Sequence, residues 1–251
     1  MERHELLQRL HALLQPRTYL EIGVSRGASM TLSRTRSIGV DPAFLVRREL
    51  LCDLHLVRAT SDEFFARDHP LAHFDEPVVD LAFIDGMHLA EYALRDFINA
   101  ERFTHAASVI VIDDMLPRTV VQADRDFSRP RPNPLWAGDV YKILGALRDL
   151  RPDVVCLEVD TAPTGTVVVL LPDPASTELL TAYDDLVEEY VVPDPQAVPD
   201  EIINRSRAID PEALLKAPIW DDLRRLRELD DSRARREIAS LLAQAGLATP
   251  P

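Results

Sequence analysis

Short apolar runs alternate along most of the chain with stretches in which apolar residues recur at helical spacing. The apolar runs predict strands at residues 18–22, 37–41, 54–59, 78–86, 107–112, 153–159 and 166–171. The helical spacing predicts helices at residues 3–14, 27–34, 88–102, 135–149 and about 174–190. Nearly continuous apolar strands that alternate with helices are typical of a parallel sheet covered on both faces. The pattern therefore predicts a doubly wound α/β fold.

The last two predicted strands differ from the others in how they are connected. Only residues 160–165 separate them, which is too short for a helical crossover and suits an antiparallel hairpin. We therefore expect a seven-stranded sheet that is mostly parallel and has an antiparallel last strand.

The end of the chain reads as an extension of this domain. Prolines at 193, 195 and 199 mark a linker, and two amphipathic helices follow it. The first is marked by Trp220, Leu223 and Leu226, and the second by apolar residues between 238 and 245. We divide the chain into a domain at 1–190 and a linker with a helical extension at 191–251. The extension is expected to pack on the domain or on a second subunit.

A glycine turn after the first strand is the strongest candidate for a binding site. The strand ends in Glu21, and Gly23, Ser25 and Gly27 follow before a predicted helix. Turn glycines let a ligand approach the backbone, and a helix N-terminus offers free N–H groups. A dinucleotide would need a glycine at position 25, whereas S-adenosylmethionine (SAM) has no pyrophosphate and its cationic groups suit Glu21. An ordinary βα turn and an NAD-dependent oxidoreductase stay open as alternatives.

Two further strand ends lie where the rest of a nucleoside would bind. Asp41 follows the second strand about twenty residues past the glycine turn, the position expected for a ribose diol. The alternative is a turn or cap before Pro42. The third strand is followed by Thr60 and Ser61, either of which is expected to cap the next helix.

Three aspartates end the fourth and fifth strands, at the edge of the sheet where α/β proteins bind ligands. Asp85 ends one strand, and Asp113 and Asp114 end the other. Carboxylates on neighbouring strand ends can share a hard cation such as Mg²⁺. Alternatively, Asp85 contacts the cofactor and Asp114 caps a turn without a metal. His88 is a candidate general base, or a first-turn helix residue near the cofactor.

Composition limits the partners of the protein. The chain of 251 residues has a formal net charge of −14, which argues against nucleic acid or an anionic membrane as partner. Its N-terminus lacks an apolar signal core, so a cytoplasmic protein is expected. Cys52 and Cys156 are expected to be unpaired. The loop at 115–134 contains four arginines, at 118, 125, 129 and 131, and is either a lid or a solvated loop.

In combination, six segments resemble the class I SAM-dependent methyltransferases, and among them the bacterial sugar O-methyltransferases of the macrolide-sugar type. These are LEIGVSRGAS, GVDP, FIDGMH, VIDDMLP, GDVYKILGALRDLRPD and VDTAPTG, which lie within residues 1–190. The mycobacterial methylmannoside O-methyltransferases are similar too. The resemblance implies a Rossmann-like fold and SAM as cofactor, with the end of the third strand beside the adenine ring. It implies a cofactor site made of Glu21, Gly23, Ser25, Gly27, Asp41, Ser61 and Asp85.

The resemblance also implies a reaction. In these relatives Mg²⁺ is held by acids that correspond to Asp85, Asp113 and Asp114. The base there is an aspartate two residues past the first of them, a position that holds Met87 in this chain and makes His88 the substitute. We expect methyl transfer to a hydroxyl of a sugar or glycoside, in a polysaccharide precursor or a glycosylated natural product. Further expected substrate contacts are Arg118, Asp139 and Lys142.

Three points stay open at this stage. The enzyme could act without a metal on a small natural product, or the chain could bind SAM without catalysis. A homodimer is possible through the helical extension.

Overall fold

The structure, a computed structural model, describes residues 1–128 and 135–247. Its strands are β1 Thr18–Ile22, β2 Arg36–Val40, β3 Leu54–Val57, β4 Leu81–Ile84, β5 Val109–Ile112, β6 Val155–Val159 and β7 Thr166–Leu170. The helices before the last two strands are α1 Arg3–Leu14, α2 Ser61–Phe65, α3 Ala90–Glu101 and α4 Ile143–Leu150. Those after them are α5 Glu178–Thr181, α6 Tyr183–Tyr190, α7 Asp200–Ile203, α8 Pro211–Leu215, α9 Ile219–Leu226 and α10 Asp231–Gln244.

The strands form one sheet in the order β3-β2-β1-β4-β5-β7-β6. The first five strands are parallel, and β7 runs antiparallel to both β5 and β6. This confirms the predicted α/β fold, a Rossmann-like doubly wound sheet of seven strands with an antiparallel last strand. The order reverses between β1 and β4, and Ile22 pairs with both Val40 and Ile84, so three strands end level there. Such a switch point leaves a crevice at the carboxyl ends of the strands.

Side chains of the central strands alternate between two apolar layers. In β4, Ala82 and Ile84 pack with α3 and α4 on one face, whereas Leu81 and Phe83 pack with α1 on the other. The second layer also includes Trp220 of α9. Because both faces are covered, the strands carry no polar face, which explains their continuous apolar runs.

The helix predicted at 27–34 is not formed, and its place is taken by a single 3-10 turn, Met30–Leu32. The segment is rich in hydroxyls that bond locally instead of leaving the backbone to a helix. Thr31 Oγ1 donates to the carbonyl of Ala28 at 2.6 Å, and Ser29 Oγ donates to Glu21 Oε1 at 2.6 Å.

Two other predicted helices are shorter than expected. The helix predicted at 135–149 begins at Ile143, after a 3-10 turn at Val140–Lys142. Gly138 has φ +62°, and its backbone N–H donates to the carbonyl of Gln122, so this part of the chain is a loop. The helix predicted at 174–190 is divided into α5 and α6.

The C-terminal extension contains the two predicted helices, as α9 and α10, and two short ones, α7 and α8. Helix α9 packs against α1 and α10. Trp220 is buried there, and its indole N–H donates to the carbonyl of Leu214 at 3.0 Å. The extension therefore covers part of one face of the sheet. The division of the chain into a domain at 1–190 and a linker with an extension at 191–251 stays a prediction.

Cys52 and Cys156 are both unpaired, as expected. Among residues 1–128 and 135–247, no helix combines the length and the apolar character that crossing a membrane requires.

Candidate functional site

A cavity of about 650 Å³ lies at the switch point, beside the carboxyl ends of β1, β2 and β4. Its size is in the usual range for a small-molecule site. The lining includes six residues predicted from the sequence, namely Gly23, Ser25, Asp41, Ser61, Asp85 and His88. Glu21 and Gly27 do not line it.

Gly23 is required by the backbone itself. Its φ is +92°, and a Cβ atom there would lie 1.8 Å from the carbonyl oxygen of Asp85. The close approach joins the ends of β1 and β4, since the N–H of Asp85 donates to the carbonyl of Ile22 at 2.8 Å. Gly27 has φ +75° and packs beside Val46, away from the cavity. The first glycine of the predicted turn thus shapes the cavity wall, and the second shapes the loop behind it.

Glu21 lies beneath the turn and is fully buried. Its Oε2 accepts from the hydroxyl of Tyr19 at 2.7 Å and its Oε1 from Ser29 Oγ at 2.6 Å. Burial raises the pKa of Glu21 to about 8, although the two hydroxyls oppose this. The predicted direct contact between Glu21 and a cofactor does not fit this buried position. Glu21 supports the turn from below instead.

Asp41 connects the end of β2 to the glycine turn. Its Oδ2 accepts from the N–H of Ser25 at 2.7 Å and its Oδ1 from the N–H of Ala43 at 2.6 Å. Ser25 has φ +48°, a conformation that this bond helps to hold. These contacts match the turn-capping alternative. Each carboxylate oxygen has a second lone pair, so the predicted contact with a ribose is compatible with them.

Thr60, rather than Ser61, caps α2. Thr60 Oγ1 accepts from the N–H of Glu63, and Glu63 Oε2 accepts from the N–H of Thr60 at 2.9 Å, which together form a capping box. Ser61 does not cap the helix, and its hydroxyl forms a hydrogen bond with Asp96 of α3. Burial raises the pKa of Asp96 to about 7, and this carboxyl also lines the cavity.

At the acidic end of the cavity, the lining residues Asp85 and His88 lie against Asp114, which is buried behind them and does not line the cavity. His88 Nε2 lies 3.1 Å from Asp114 Oδ2 and 3.4 Å from Asp85 Oδ1. Within the described part of the chain, these three residues form a group whose ligand atoms lie within 4.8 Å of one another.

Asp113 does not join this group, contrary to the predicted metal site. It continues the β5 ladder by donating its N–H to the carbonyl of Ile84, and its Oδ2 pairs with Arg3 at 2.9 Å. Asp114 has φ +61° and has left strand geometry. Successive residues of a regular strand point to opposite sides of the sheet. Because Asp114 has left the strand, its side chain reaches His88, whereas the side chain of Asp113 stays beside Arg3.

The carboxylates at this end have strongly perturbed pKa values. Burial, followed by repulsion from Asp114 and Asp85, raises the pKa of Asp113 well above its usual range. Burial also raises the pKa of Asp114 to about 6, despite the opposing charge of His88. Burial alone would lower the pKa of His88, but Asp114 and Asp85 outweigh it and raise this pKa to about 9. Without a metal His88 therefore favours its protonated form, and it would have to lose the Nε2 proton to ligate one.

The group fits a bound cation. Asp114 Oδ2 is buried and makes no hydrogen bond within the described part of the chain, and its one close charged neighbour is His88 Nε2 at 3.1 Å. A buried carboxylate oxygen without a hydrogen bond is costly, and a bound cation would compensate it. Carboxylates suit Mg²⁺ or Mn²⁺, whereas an imidazole ligand is more typical of transition metals. Replacing Asp113 by His88 thus shifts the expected preference away from Mg²⁺.

Trp136 fixes the orientation of His88. The Nδ1–H of His88 donates to the carbonyl of Trp136 at 2.9 Å, so Nε2 is directed at Asp114 and Asp85. The two rings stack with centroids 4.9 Å apart. A Cβ atom on Gly138 would lie 1.6 Å from the carbonyl oxygen of His88. The loop and the start of α3 are therefore closely packed.

The three predicted substrate contacts are engaged elsewhere and do not line the cavity. Arg118 pairs with Asp160 at 3.0 Å. Asp139 is buried and accepts from the N–H of Ala90 and from Lys142 Nζ. Lys142 also donates to the carbonyl of Tyr190 at 2.6 Å. These side chains fasten the loop and α3.

The arginine-rich loop is partly described. Arg125 pairs with Glu91 at 2.6 Å and with Asp139 at 2.7 Å, and is held against α3. Arg129 and Arg131 lie outside the described residues.

Sequence reasoning missed three residues of the site, namely Arg3, Asp96 and Trp136. Asp96 gave a signal, because it is a charged residue on the apolar face of the helix predicted at 88–102. Arg3 gave a weaker signal, as a cation in the first turn of the helix predicted at 3–14. Trp136 gave none, since nothing local distinguishes a core tryptophan from a site residue.

No protein-family model matches the chain, and no curated protein matches it significantly. Among solved structures it is similar to the O-methyltransferase TomG of Streptomyces achromogenes, involved in tomaymycin synthesis and solved with SAM. The identity is 20% over 67% of this chain and 79% of that one, with a TM-score of 0.45. Cofactor-bound Rv0187 from MTB is 15% identical over 69% of this chain and 82% of that one, with a TM-score of 0.46.

A third similar structure is the SAH-bound methyltransferase PaMTH1 of Podospora anserina. It is 14% identical over 68% of this chain and 78% of that one, with a TM-score of 0.46. Similarities at this level do not assign a function. The fold is established by the strand order and pairing described above.

Proposed function

We propose that the protein is a SAM-dependent O-methyltransferase that acts on a hydroxyl of a sugar or glycoside with the help of a divalent cation. One observation carries the proposal. A single cavity is lined by Asp41 and the glycine turn at one end and by Asp85 and His88 at the other, where His88 Nε2 lies 3.1 Å from the buried Asp114. A nucleoside cofactor that binds the first end would place its reacting group at the second.

The cofactor half of the proposal follows the lining of the cavity. Asp41 would accept from the ribose hydroxyls, and Ser61 at the start of α2 would lie beside the adenine. Gly23 and Ser25 form the turn under the sugar, and Asp85 would be near the cationic end of the cofactor. Glu21 would act through the turn that it supports.

The acceptor half depends on the acidic end. Asp85, His88 and Asp114 would hold the cation, which when bound would supply Lewis acidity that lowers the pKa of the acceptor hydroxyl. In our proposal Asp113 is paired with Arg3 and is not a ligand. Positioning of the hydroxyl in line with the methyl group would supply much of the rate.

His88 has two candidate roles, as a ligand of the cation and as the general base. With Nδ1–H bound to Trp136, only Nε2 can serve as a ligand or accept a proton. As long as both carboxylates are charged, His88 keeps its proton, because its pKa is raised to about 9. A base role therefore requires that the negative charge of Asp85 and Asp114 first be offset. His88→Gln separates the roles, since a ligand role predicts weaker cation binding and a base role predicts unchanged cation binding with slower turnover.

A metal-independent methyltransferase is the second candidate, favoured by one observation. Arg3 and protonated His88 already offset part of the charge of Asp85, Asp113 and Asp114. Turnover that is unaffected by a chelator would support this alternative.

The test combines binding and turnover. We expect S-adenosylhomocysteine (SAH) to bind the wild-type protein in calorimetry, and a panel of mannosides and glucosides to be methylated when Mg²⁺ or Mn²⁺ is present. Asp114→Ala should lower turnover by about 10²- to 10³-fold, as expected for the loss of a group that stabilises the transition state, and change SAH affinity only a few-fold. Asp68→Ala, an exposed acid outside the cavity, is the matched control.

Three outcomes would contradict parts of the proposal. Turnover retained by Asp114→Ala under chelator would reject the metal role. Full SAH binding with no transfer to any hydroxyl would favour a non-catalytic binding protein. Failure to bind SAH would reject the cofactor assignment.

A homodimer stays a prediction, which sedimentation would test.

A further inference from the structure

Arg3 reaches the acidic end of the cavity from the first turn of α1. Its backbone N–H donates to the carbonyl of Ala162 at 3.1 Å, and the N–H of Ala162 donates to the carbonyl of Met1 at 2.9 Å. These bonds fix the start of the helix against the β6–β7 connection. A cation is unfavourable at a helix N-terminus because the positive end of the helix dipole lies there. Helix formation therefore does not explain an arginine at this position.

The guanidinium of Arg3 uses few of its hydrogen-bond donors. NH1 lies 2.9 Å from Asp113 Oδ2, but NH2 is 3.8 Å from Asp85 Oδ2, beyond hydrogen-bond distance. Nε is buried and has no hydrogen-bond partner within the described part of the chain. An arginine carries five N–H donors in a rigid fork. Asp113 alone leaves most of that fork unused, although the side chain is only 27% exposed.

The rest of the lining is mainly negative. Besides Arg3 and His88, the charged lining residues are Asp41, Asp62, Asp85 and Asp96. Both ring nitrogens of His88 are occupied, by the carbonyl of Trp136 and by the carboxylates. A carboxylate that entered this cavity would be repelled by the acids, and among the lining residues Arg3 alone would have cationic donors left for it.

SAM and SAH both carry a carboxylate at the methionine end. We propose that Arg3 binds this carboxylate, and so determines that the cavity accepts an amino-acid-bearing nucleoside rather than a plain nucleoside thioether. This rests on the proposed function. Arg3 would bridge the ligand carboxylate and Asp113, because the fork of an arginine can serve two carboxylates through different edges. The amine and sulfonium would then face Asp85.

Two ligands that differ only in this carboxylate test the proposal. SAH and its decarboxylated analogue, 5′-deoxy-5′-(3-aminopropylthio)adenosine, share the adenosine, the sulfur and the amine. We expect wild-type protein to bind SAH about 10- to 100-fold more tightly than the analogue in calorimetry, the range for a hydrogen-bonded charge pair. Arg3→Gln should weaken SAH binding by a similar factor, leave the analogue within about threefold, and abolish the preference.

Because the lining is acidic, a clearly different result is expected if Arg3 does not bind the ligand carboxylate. If Arg3 serves only as counter-ion to Asp113, the cationic analogue should bind wild-type protein at least as tightly as zwitterionic SAH. Arg3→Gln should then change both affinities equally or neither. Either result would overturn the proposal.

Two variants separate ligand binding from local damage. Arg3→Gln/Asp113→Asn removes the ion pair as a unit, and we expect it to lack the preference that Asp113→Asn alone retains. Arg9→Gln is the matched control, because Arg9 lies on the same helix and pairs with Glu212 outside the cavity. A preference that survives in the double variant would reject the role of Arg3.

Failure of the proposed function gives a different pattern. Wild-type protein that binds neither SAH nor the analogue would reject the cofactor assignment and, with it, the role of Arg3. Binding of both ligands without a preference would reject only the role of Arg3.

Discussion

The regions around the two ends of the cavity differ in how completely their acidic side chains are hydrogen-bonded. Around the glycine turn, both oxygens of Glu21 accept from hydroxyls and both oxygens of Asp41 accept from backbone N–H groups. Behind the acidic end, both oxygens of Asp113 and one oxygen of Asp114 make no hydrogen bond among the described residues, and two of these three oxygens have only an ion pair, with Arg3 or His88. The carboxylates of the turn are therefore satisfied within the protein, whereas those of the acidic end are satisfied only in part.

This difference indicates that the turn and the acidic end have different roles. A bonded turn holds its shape before a ligand arrives, which reduces the entropy lost on binding. Buried carboxylate oxygens without a hydrogen bond cost stability and are retained where a ligand or a reaction uses them. We therefore expect changes that strain the turn or remove its hydrogen bonds to damage folding, and changes at the acidic end to damage activity while sparing or improving stability.

The largest expected effect is at Gly23. Gly23→Ala places a Cβ atom 1.8 Å from the carbonyl oxygen of Asp85 and forces a side chain into φ +92°. Steric overlap and backbone strain together should cost about 4 kcal/mol of unfolding free energy. Urea denaturation followed by circular dichroism would measure the loss, and calorimetry should show SAH binding lost as well.

Gly246→Ala is the matched control, because Gly246 also has a positive φ, +68°, but nothing lies within 4 Å of the added Cβ atom. Its cost should be about 1 kcal/mol, from backbone strain alone. Equal costs for the two substitutions would show that the contact with Asp85 is not what requires a glycine at position 23.

Glu21→Gln should give a smaller effect that depends on pH. The pKa of Glu21 is raised from 4.5 to about 8 in the folded protein. Between these values the folded state keeps a proton that the unfolded state has lost, so wild-type stability falls as the pH rises towards 8. The neutral glutamine avoids this loss. The variant should gain about 2–4 kcal/mol over wild type between pH 5 and pH 8 in urea denaturation.

Glu21→Ala distinguishes this titration from packing. It leaves the buried hydroxyls of Tyr19 and Ser29 without their acceptor, so it should be less stable than wild type at pH 5, where the glutamine variant is nearly neutral. A constant difference between Glu21→Gln and wild type at every pH would contradict the raised pKa.

The smallest effect is expected at the acidic end. Burial raises the pKa of Asp114 to about 6, so its ionisation opposes folding at pH 7. Asp114→Asn should therefore raise the unfolding free energy at pH 7 by about 1 kcal/mol while turnover is lost. Thermal denaturation at pH 7 would measure the gain, and it should vanish below pH 4.

Asp80→Asn is the matched control with the opposite sign. Burial would raise the pKa of Asp80, but hydrogen bonds from His105 and Arg17 outweigh it and hold this pKa below its usual range. The stability that Asp80 supplies is present above its ordinary pKa and is lost as the pH falls through the lowered value. Asp80→Asn should cost about 2 kcal/mol at pH 7. A cost of similar size for Asp114→Asn would remove the contrast.

The sheet was predictable because burial on both faces leaves a signal in every strand. Seven apolar runs and one short connection were enough for the strands and for the antiparallel β7. The helix expected at 27–34 failed because helical spacing does not register local hydroxyl bonds such as that from Thr31 to Ala28. The shortened helix before Ile143 depends on Gly138 packing against His88, a contact between distant parts of the chain.

The cavity was predictable only in outline. Strand ends that carry Gly23, Asp41 and Asp85 meet at one edge because parallel topology requires it. At the end of β5 the backbone dihedral of one residue decides which side chain reaches the cluster. With φ +61°, Asp114 reaches Asp85 and His88, and Asp113 stays outside the group. Arg3 depends on where α1 packs, which no local pattern encodes.

The packing of α9 on α1 has a consequence for where this protein can be divided. Leu6, Leu7 and Leu10 of α1 are buried in the same apolar layer as Trp220 and Leu223. A chain cut at residue 190 would keep every predicted site residue in its sequence, yet would open this layer to water. The apolar face so exposed promotes aggregation. The prolines of the linker mark a change in sequence character, but we expect a piece that ends there to be less stable than one that keeps the C-terminal helices.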